Sequence, residues 1–347
     1  MSLIKKFYNL IKYLFYFFFS KIIFFSINYS KLKKINLLYC DRAGYADFIF
    51  FCIEMRLRVN KTNKLFCFSI KQYEIAKFFI KKEFIEKSFF LIPKFVHNSQ
   101  YIYSKFLNKN KNFKPAKLTR SPPNNPELSV PISEWWNGDT ETIKFIDKQL
   151  EKSDISKNLI KICQKKTLCL FIKNFSNVEK NHLNFQVRQT RDLNKIYKLI
   201  NHLSSKNLNL VILGLQSDNF IKTLPNDLLK KNKNVYLFKD LTDNNSIADQ
   251  AYLAKNSLGF IGNMSGPTSL FGILNKDGLI LDAVWFYSDN YFKNFLFMYK
   301  KIYNKHSKIL KNFIWQEYYD PDIFEIVENT YDEIVNNVDK RILSNLK

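Results

Sequence analysis

Five short and almost wholly apolar runs punctuate the second half of the chain, at residues 167–172, 208–213, 235–238, 258–261 and 278–281. Each is too short for a buried helix and too apolar to face water on either side, the signature of strands covered on both faces. Helical patterns fill the gaps between them, over 193–203, 246–254 and 266–274. In the first of these, Ile196, Leu199, Ile200 and Leu203 share one side and Asp192 stands at the capping position. Strands joined by helices in this rhythm predict a doubly wound parallel sheet. Right-handed crossovers then bring every strand's carboxyl end to one edge.

The first half repeats the rhythm less regularly. Strands are expected at 35–40, 64–70 and 89–92, and helices at 48–57 and 72–82. Five of the nine prolines fall at 115–131, where regular structure cannot form. At 347 residues the chain suits two domains, so the expected division is 1–34 as a terminal helix, 35–130 and 131–347.

Residues 1–34 contain seven lysines and no acidic residue; the first carboxylate is Asp41. On a helical wheel Ile4, Phe7, Ile11, Leu14, Phe18, Ile22 and Phe25 gather on one side, with Lys5, Asn9, Lys12 and Tyr16 opposite. That pattern fits a helix lying in an anionic membrane interface. A transmembrane span, a cleaved leader and an ordinary buried helix are the competing readings. Lys21 interrupts the first, and the second lacks a small-residue cleavage site.

The net charge of +23 admits anionic partners, but the lysines are dispersed, as an AT-rich coding bias produces. No zinc-finger, KH or RRM pattern accompanies them, so nucleic acid is not an expected partner. The five cysteines form no Cys-x-x-Cys pair and the four histidines are scattered, so neither a disulfide framework nor a metal site is expected. Asp320-Pro321-Asp322 has metal-motif spacing but sits in a proline turn.

Six of the eight glycines lie between 214 and 278, which suggests backbone approaching a ligand closely. The main candidate is Phe260-Ile261-Gly262-Asn263-Met264-Ser265-Gly266-Pro267-Thr268, a strand, a small polar turn and a helix start. Its backbone N–H groups and the Ser265 and Thr268 hydroxyls would suit a phosphate, with Pro267 placed where a missing N–H costs nothing. The competing reading is a plain connection with Ser265 as the helix cap. A second group, Lys173, Arg188 and Arg191, follows the strand at 167–172 and would also lie at the carboxyl edge, with Gly214 ending the next strand. Lysine and arginine beside a serine-glycine turn could hold a diphosphate without a metal. Neither the Rossmann glycine fingerprint nor the Walker P-loop is present.

The 260–267 segment, preceded by Ser246-Ile247-Ala248-Asp249-Gln250-Ala251-Tyr252-Leu253-Ala254, resembles the nucleotide-sugar domain of GT-B glycosyltransferases. It is similar to the heptosyltransferase group and to a bacterial family acting on surface polysaccharides. Val187-Arg188-Gln189-Thr190-Arg191-Asp192, the strand ending at Gly214 and Asn329-Thr330-Tyr331-Asp332-Glu333 resemble further parts of that family. The likeness covers roughly residues 165–340. Where the family commonly has Gly-His after its first strand, this chain has Gly44-Tyr45.

The resemblance implies two Rossmann-like domains, with the last helices able to return to the first. A nucleotide-sugar donor is expected on Lys173, Arg188, Arg191, Gly214, Asn263, Ser265, Gly266, Pro267 and Thr268. It also implies a glycan or lipid-linked glycan acceptor near Arg42, Gly44 and Tyr45, Asp47 or Asp41 as base, and no cofactor. A lipid-borne acceptor would place the enzyme peripherally on the cytoplasmic face of the inner membrane. A non-catalytic GT-B-like partner in a membrane assembly and a nucleic-acid-binding protein are the alternatives.

Overall fold

The computed structural model describes residues 140–174, 189–214, 219–243, 246–284, 294–312 and 322–344 continuously, together with 36–39, 64–68 and 89–91 and twelve helical positions between 7 and 79. It divides into two compact units, Met1–Ser129 and Val130–Lys347. The first unit contains a three-stranded parallel sheet, β1 (Asn36–Tyr39), β2 (Lys64–Phe68) and β3 (Phe89–Leu91), in that order. Ile49, Cys52, Ala76 and Phe79 are helical and buried there. The proline-rich stretch 115–131 lies wholly outside the described residues, as do Asp320 and Pro321.

The second unit opens with two helices that the sequence reading did not anticipate, α1 (Thr140–Leu150) and α2 (Lys157–Cys163). The sheet follows: β4 (Thr167–Phe171), α3 (Leu193–Ser204), β5 (Asn209–Ile212), α4 (Asn219–Thr223), α5 (Asn226–Lys231) and β6 (Val235–Leu237). After it come α6 (Phe238–Leu241), α7 (Ile247–Asn256), β7 (Gly259–Gly262), α8 (Gly266–Ile273), β8 (Asp277–Ala283) and β9 (Phe295–Tyr299). The six strands run parallel in the order β6-β5-β4-β7-β8-β9. Five match the expected runs. The sixth, β9, was not anticipated, because in a chain with 34 Phe and 19 Tyr an aromatic run does not stand out as a strand.

Alternation along the strands explains why both faces are buried. Leu168 and Leu170 of β4 join Ile196, Leu199, Ile200 and Leu203 of α3 in one core. From β7, Phe260 packs its ring against Phe271 of α8, with centroids 5.1 Å apart. Caps at helix starts follow the sequence. Asp192 accepts from the Asn194 N–H at 3.0 Å, and Ser246 accepts from the Asp249 N–H at 3.0 Å. The buried Asp249 carboxylate in turn accepts from Ser156, at the start of α2, through its N–H (3.0 Å) and hydroxyl (3.1 Å).

A small antiparallel sheet, also unanticipated, joins β10 (Lys301–Asn304) to β11 (Leu310–Asn312) and β12 (Phe324–Val327). The chain then enters α9 (Tyr331–Val338) through a capping box in which Thr330 and Glu333 bond reciprocally. Ile334 and Val338 of α9 bury into the same core as α3.

Candidate functional site

In this strand order the chain moves outward in one direction from β4 through β5 to β6, and in the other from β7 through β8 to β9. β4 and β7 are neighbours whose following segments leave toward opposite sides. Such a switch point opens a crevice outside the carboxyl ends of the two strands, where ligands of doubly wound sheets bind. The switch point brings together two of the sequence candidates. Lys173 follows β4 and the Asn263–Thr268 turn follows β7.

Asn263 builds the crevice floor. Its side-chain oxygen accepts from the Lys173 backbone N–H at 2.7 Å, and its amide donates to Leu281 O and to Thr190 Oγ1, each at 3.1 Å. One buried amide therefore ties the ends of β4, β7 and β8 to the segment entering α3. With its oxygen and amide so engaged, Asn263 fixes the shape of the turn rather than presenting a group to a ligand. Thr268 is likewise buried, and its hydroxyl accepts from the Ser265 N–H at 3.0 Å. Met264, Ser265, Gly266 and Pro267 stay half-buried at the crevice. The turn is not sealed in core. The Lys173 ammonium donates to Met264 O at 3.1 Å, which sets a positive charge at its side. No acidic residue occupies the first turn of α8.

The glycine reading needs correction in part. A Cβ on Gly262, whose φ is +151°, would meet Phe171 O at 2.0 Å, and one on Gly278 would meet the Phe295 ring at 2.6 Å. At Gly262 and Gly278 the missing side chain lets strand approach strand, so these two positions serve sheet packing. Gly214, with φ +143°, ends the β5 segment at the same edge.

Sequence reasoning missed a buried charge cluster beside the crevice. Lys195 of α3 donates to Glu328 Oε2 at 2.9 Å, to Asn329 O at 2.9 Å and to Asp282 Oδ2 at 3.3 Å. Lys300, fully buried, donates to Gln189 O at 2.6 Å and to Glu328 Oε1 at 3.2 Å. Thr190 donates its hydroxyl to Asp282 Oδ2 at 2.8 Å. Asp282 and Asn329 exchange bonds, each backbone N–H donating to the other's side chain, at 2.8 and 2.9 Å. Two lysines thus face two carboxylates with no net charge.

Burial drives the Lys300 ammonium below its ordinary pKa, against the pull of Asp282 and Glu328. Burial would raise the Glu328 carboxyl, but Lys300 and Lys195 outweigh it and hold the group below its ordinary value. A faint signal was available: Lys195 stands four residues before Leu199, on the buried stripe of its helix.

Glu328 also determines what α3 can bind. Its two oxygens accept from the backbone N–H groups of Arg191 (2.8 Å) and Asp192 (3.3 Å). The start of α3 is therefore filled by the protein's own carboxylate. The Arg191 residue is exposed there, close enough to Lys300 for the two charges to repel. Arg188, Asp41, Arg42, Gly44, Tyr45 and Asp47 lie outside the described residues. Among the described residues, no group of three or more His, Cys, Asp or Glu side chains is arranged to hold a metal.

A mixed α/β unit with a parallel sheet and an electropositive turn at its switch point defines the class. No protein-family model and no curated protein sequence matches the chain. Among solved structures, the glycosyl transferase family 9 structure from Veillonella parvula DSM 2008 is similar at TM-score 0.50 and 10% identity, covering 89% of this chain and 97% of that one. The ADP-heptose lps heptosyltransferase II of E. coli gives TM-score 0.48 and 9% identity over 90% of this chain and 100% of that one. The E. coli heptosyltransferase WaaC with ADP-2-deoxy-2-fluoro heptose gives 0.43 and 9% over 76% and 93%. The chain has the mixed α/β fold of the family 9 glycosyl transferase structure.

Proposed function

We propose that this protein is a glycosyltransferase of the GT-B type, moving a sugar from a nucleotide-sugar donor to a surface glycan acceptor without a metal. The observation that carries the reading is the half-buried Met264–Pro267 turn at the switch point, with Lys173 against it and no acid in the helix that follows. Departure of a nucleoside diphosphate concentrates negative charge on its phosphate oxygens. A helix start and an ammonium fixed before the reaction would stabilise that charge without reorganising.

The roles then divide among the sequence candidates. Lys173, Ser265 and Gly266, together with Arg188 and Arg191, hold the diphosphate. Asn263 and Thr268 keep the turn in shape, and Gly214 lets the chain bend at the same edge. A carboxylate of the first unit, Asp47 or else Asp41, takes the proton of the acceptor hydroxyl as the sugar bond forms. Arg42, Gly44 and Tyr45 line the acceptor side. The reading draws on the family resemblance of 246–267 and on the fold shared with the Veillonella glycosyl transferase.

Calorimetric titration with ADP, UDP and GDP provides the test. At least one should bind, and Lys173→Met should weaken it about tenfold or more, the range for losing one charge-assisted hydrogen bond. Asp47→Asn should leave that affinity unchanged while abolishing sugar transfer to membrane glycans. Absence of binding by all three, or affinity indifferent to Lys173→Met and Ser265→Ala together, would overturn the reading.

A further inference from the structure

Six described residues near the amino terminus, Phe7, Leu10, Ile11, Leu14, Phe15 and Phe18, are helical, and their side chains are between 44% and 64% exposed. Their spacing of three, one, three, one and three residues puts all six on one face of a helix. Helical residues elsewhere in the same unit behave in the opposite way: Ile49, Cys52 and Phe79 are at most 1% exposed. Phe7, Leu10, Ile11 and Leu14 form a contiguous apolar face turned outward, and such a face marks an interaction site.

Charge selects among the occupants. No aspartate or glutamate precedes Asp41, while Lys5, Lys6, Lys12, Lys21, Lys31, Lys33 and Lys34 are all positive. On a helical wheel of the sequence, Lys5 and Lys12 fall opposite these apolar residues. A second copy of the chain would bring these lysines against their own kind. An anionic bilayer satisfies both features at once: acyl chains accept the phenyl and aliphatic groups, and phosphates accept the lysines. Among the described residues no helix is long and apolar enough to cross a membrane.

We infer that this face docks in the plane of an anionic lipid surface, with Phe7, Ile11, Leu14, Phe15 and Phe18 in the acyl boundary and the lysines at the headgroups. Nothing in this depends on which reaction the parallel-sheet unit performs. Each lysine near the surface strengthens partitioning about fivefold, and salt screens that contribution.

The test is co-sedimentation of the full chain with phosphatidylcholine vesicles, with and without phosphatidylglycerol, over a salt series. Binding should require phosphatidylglycerol and fall as salt rises. The double variant Ile11→Asp/Leu14→Asp should lose binding more than tenfold at an unchanged melting temperature, as expected for exposed positions. Lys5→Glu/Lys12→Glu, which leaves the apolar face intact, should weaken binding to anionic vesicles at least tenfold. Three results would overturn the proposal: no binding to anionic vesicles, binding that survives both double variants, or a vesicle-indifferent dimer that Ile11→Asp/Leu14→Asp dissociates.

Discussion

Helices α3 and α8 start at the same edge of one sheet, after adjacent parallel strands, yet only one start is filled by a carboxylate. At α3, Glu328 arrives from far along the chain and takes the N–H groups of Arg191 and Asp192, leaving the end electrically satisfied. At α8, the cap is made of neutral hydroxyls, Ser265 and Thr268, and the neighbouring charge is the Lys173 ammonium. A helix start attracts anions only when its own protein has not already supplied one. The comparison makes α3 a fixed wall and leaves α8 as the start that the proposed diphosphate site would use.

Removing the carboxylate should have the largest effect. Glu328→Ala leaves Lys195 and Lys300 buried with Asp282 alone, and strips two N–H groups of their acceptor. It should cost about 3–5 kcal/mol of unfolding free energy in urea titrations. Adding Lys300→Met to that variant should recover part of the loss, since an apolar chain needs no counter-charge. At the other start, Thr268→Val removes the acceptor for the Ser265 N–H and should cost about 2 kcal/mol. It should also weaken nucleoside diphosphate binding, which Glu328→Ala affects only through stability.

Asp192→Ala, which removes an exposed cap, should cost about 1 kcal/mol. The smallest effect expected is a slope. Because the folded protein holds Glu328 below its ordinary carboxyl pKa, the stability this group contributes is present above that value and declines as pH falls through the folded one. Unfolding free energy of the wild type should therefore lose ground to that of Glu328→Gln on acidification, while Thr268→Val follows the wild-type slope.

The sheet was legible because strands buried on both faces advertise themselves as apolar runs whatever surrounds them, and the crevice because the residues at their ends follow directly in sequence. Lys173 and Ser265 were reached in that way. The charge cluster was not legible, since Lys195 and Glu328 lie 133 residues apart and neither has a local partner that marks it. The small antiparallel sheet was hidden for a different reason: β11 is exposed throughout and carries no apolar pattern. Gly262 was visible as a close backbone approach, but sequence does not show that what it approaches is the neighbouring strand β4.

Glu328 and Asn329 follow the last strand of the large sheet, yet they fasten β8, β9 and the entry to α3 into one piece. During synthesis, Lys195 of α3 leaves the ribosome well before Glu328, the carboxylate that pairs with it. The wall of the crevice thus sets only after the large sheet's strands are made, so a truncation that spares all of them but ends before Glu328 would leave two buried ammonium groups sharing Asp282 alone.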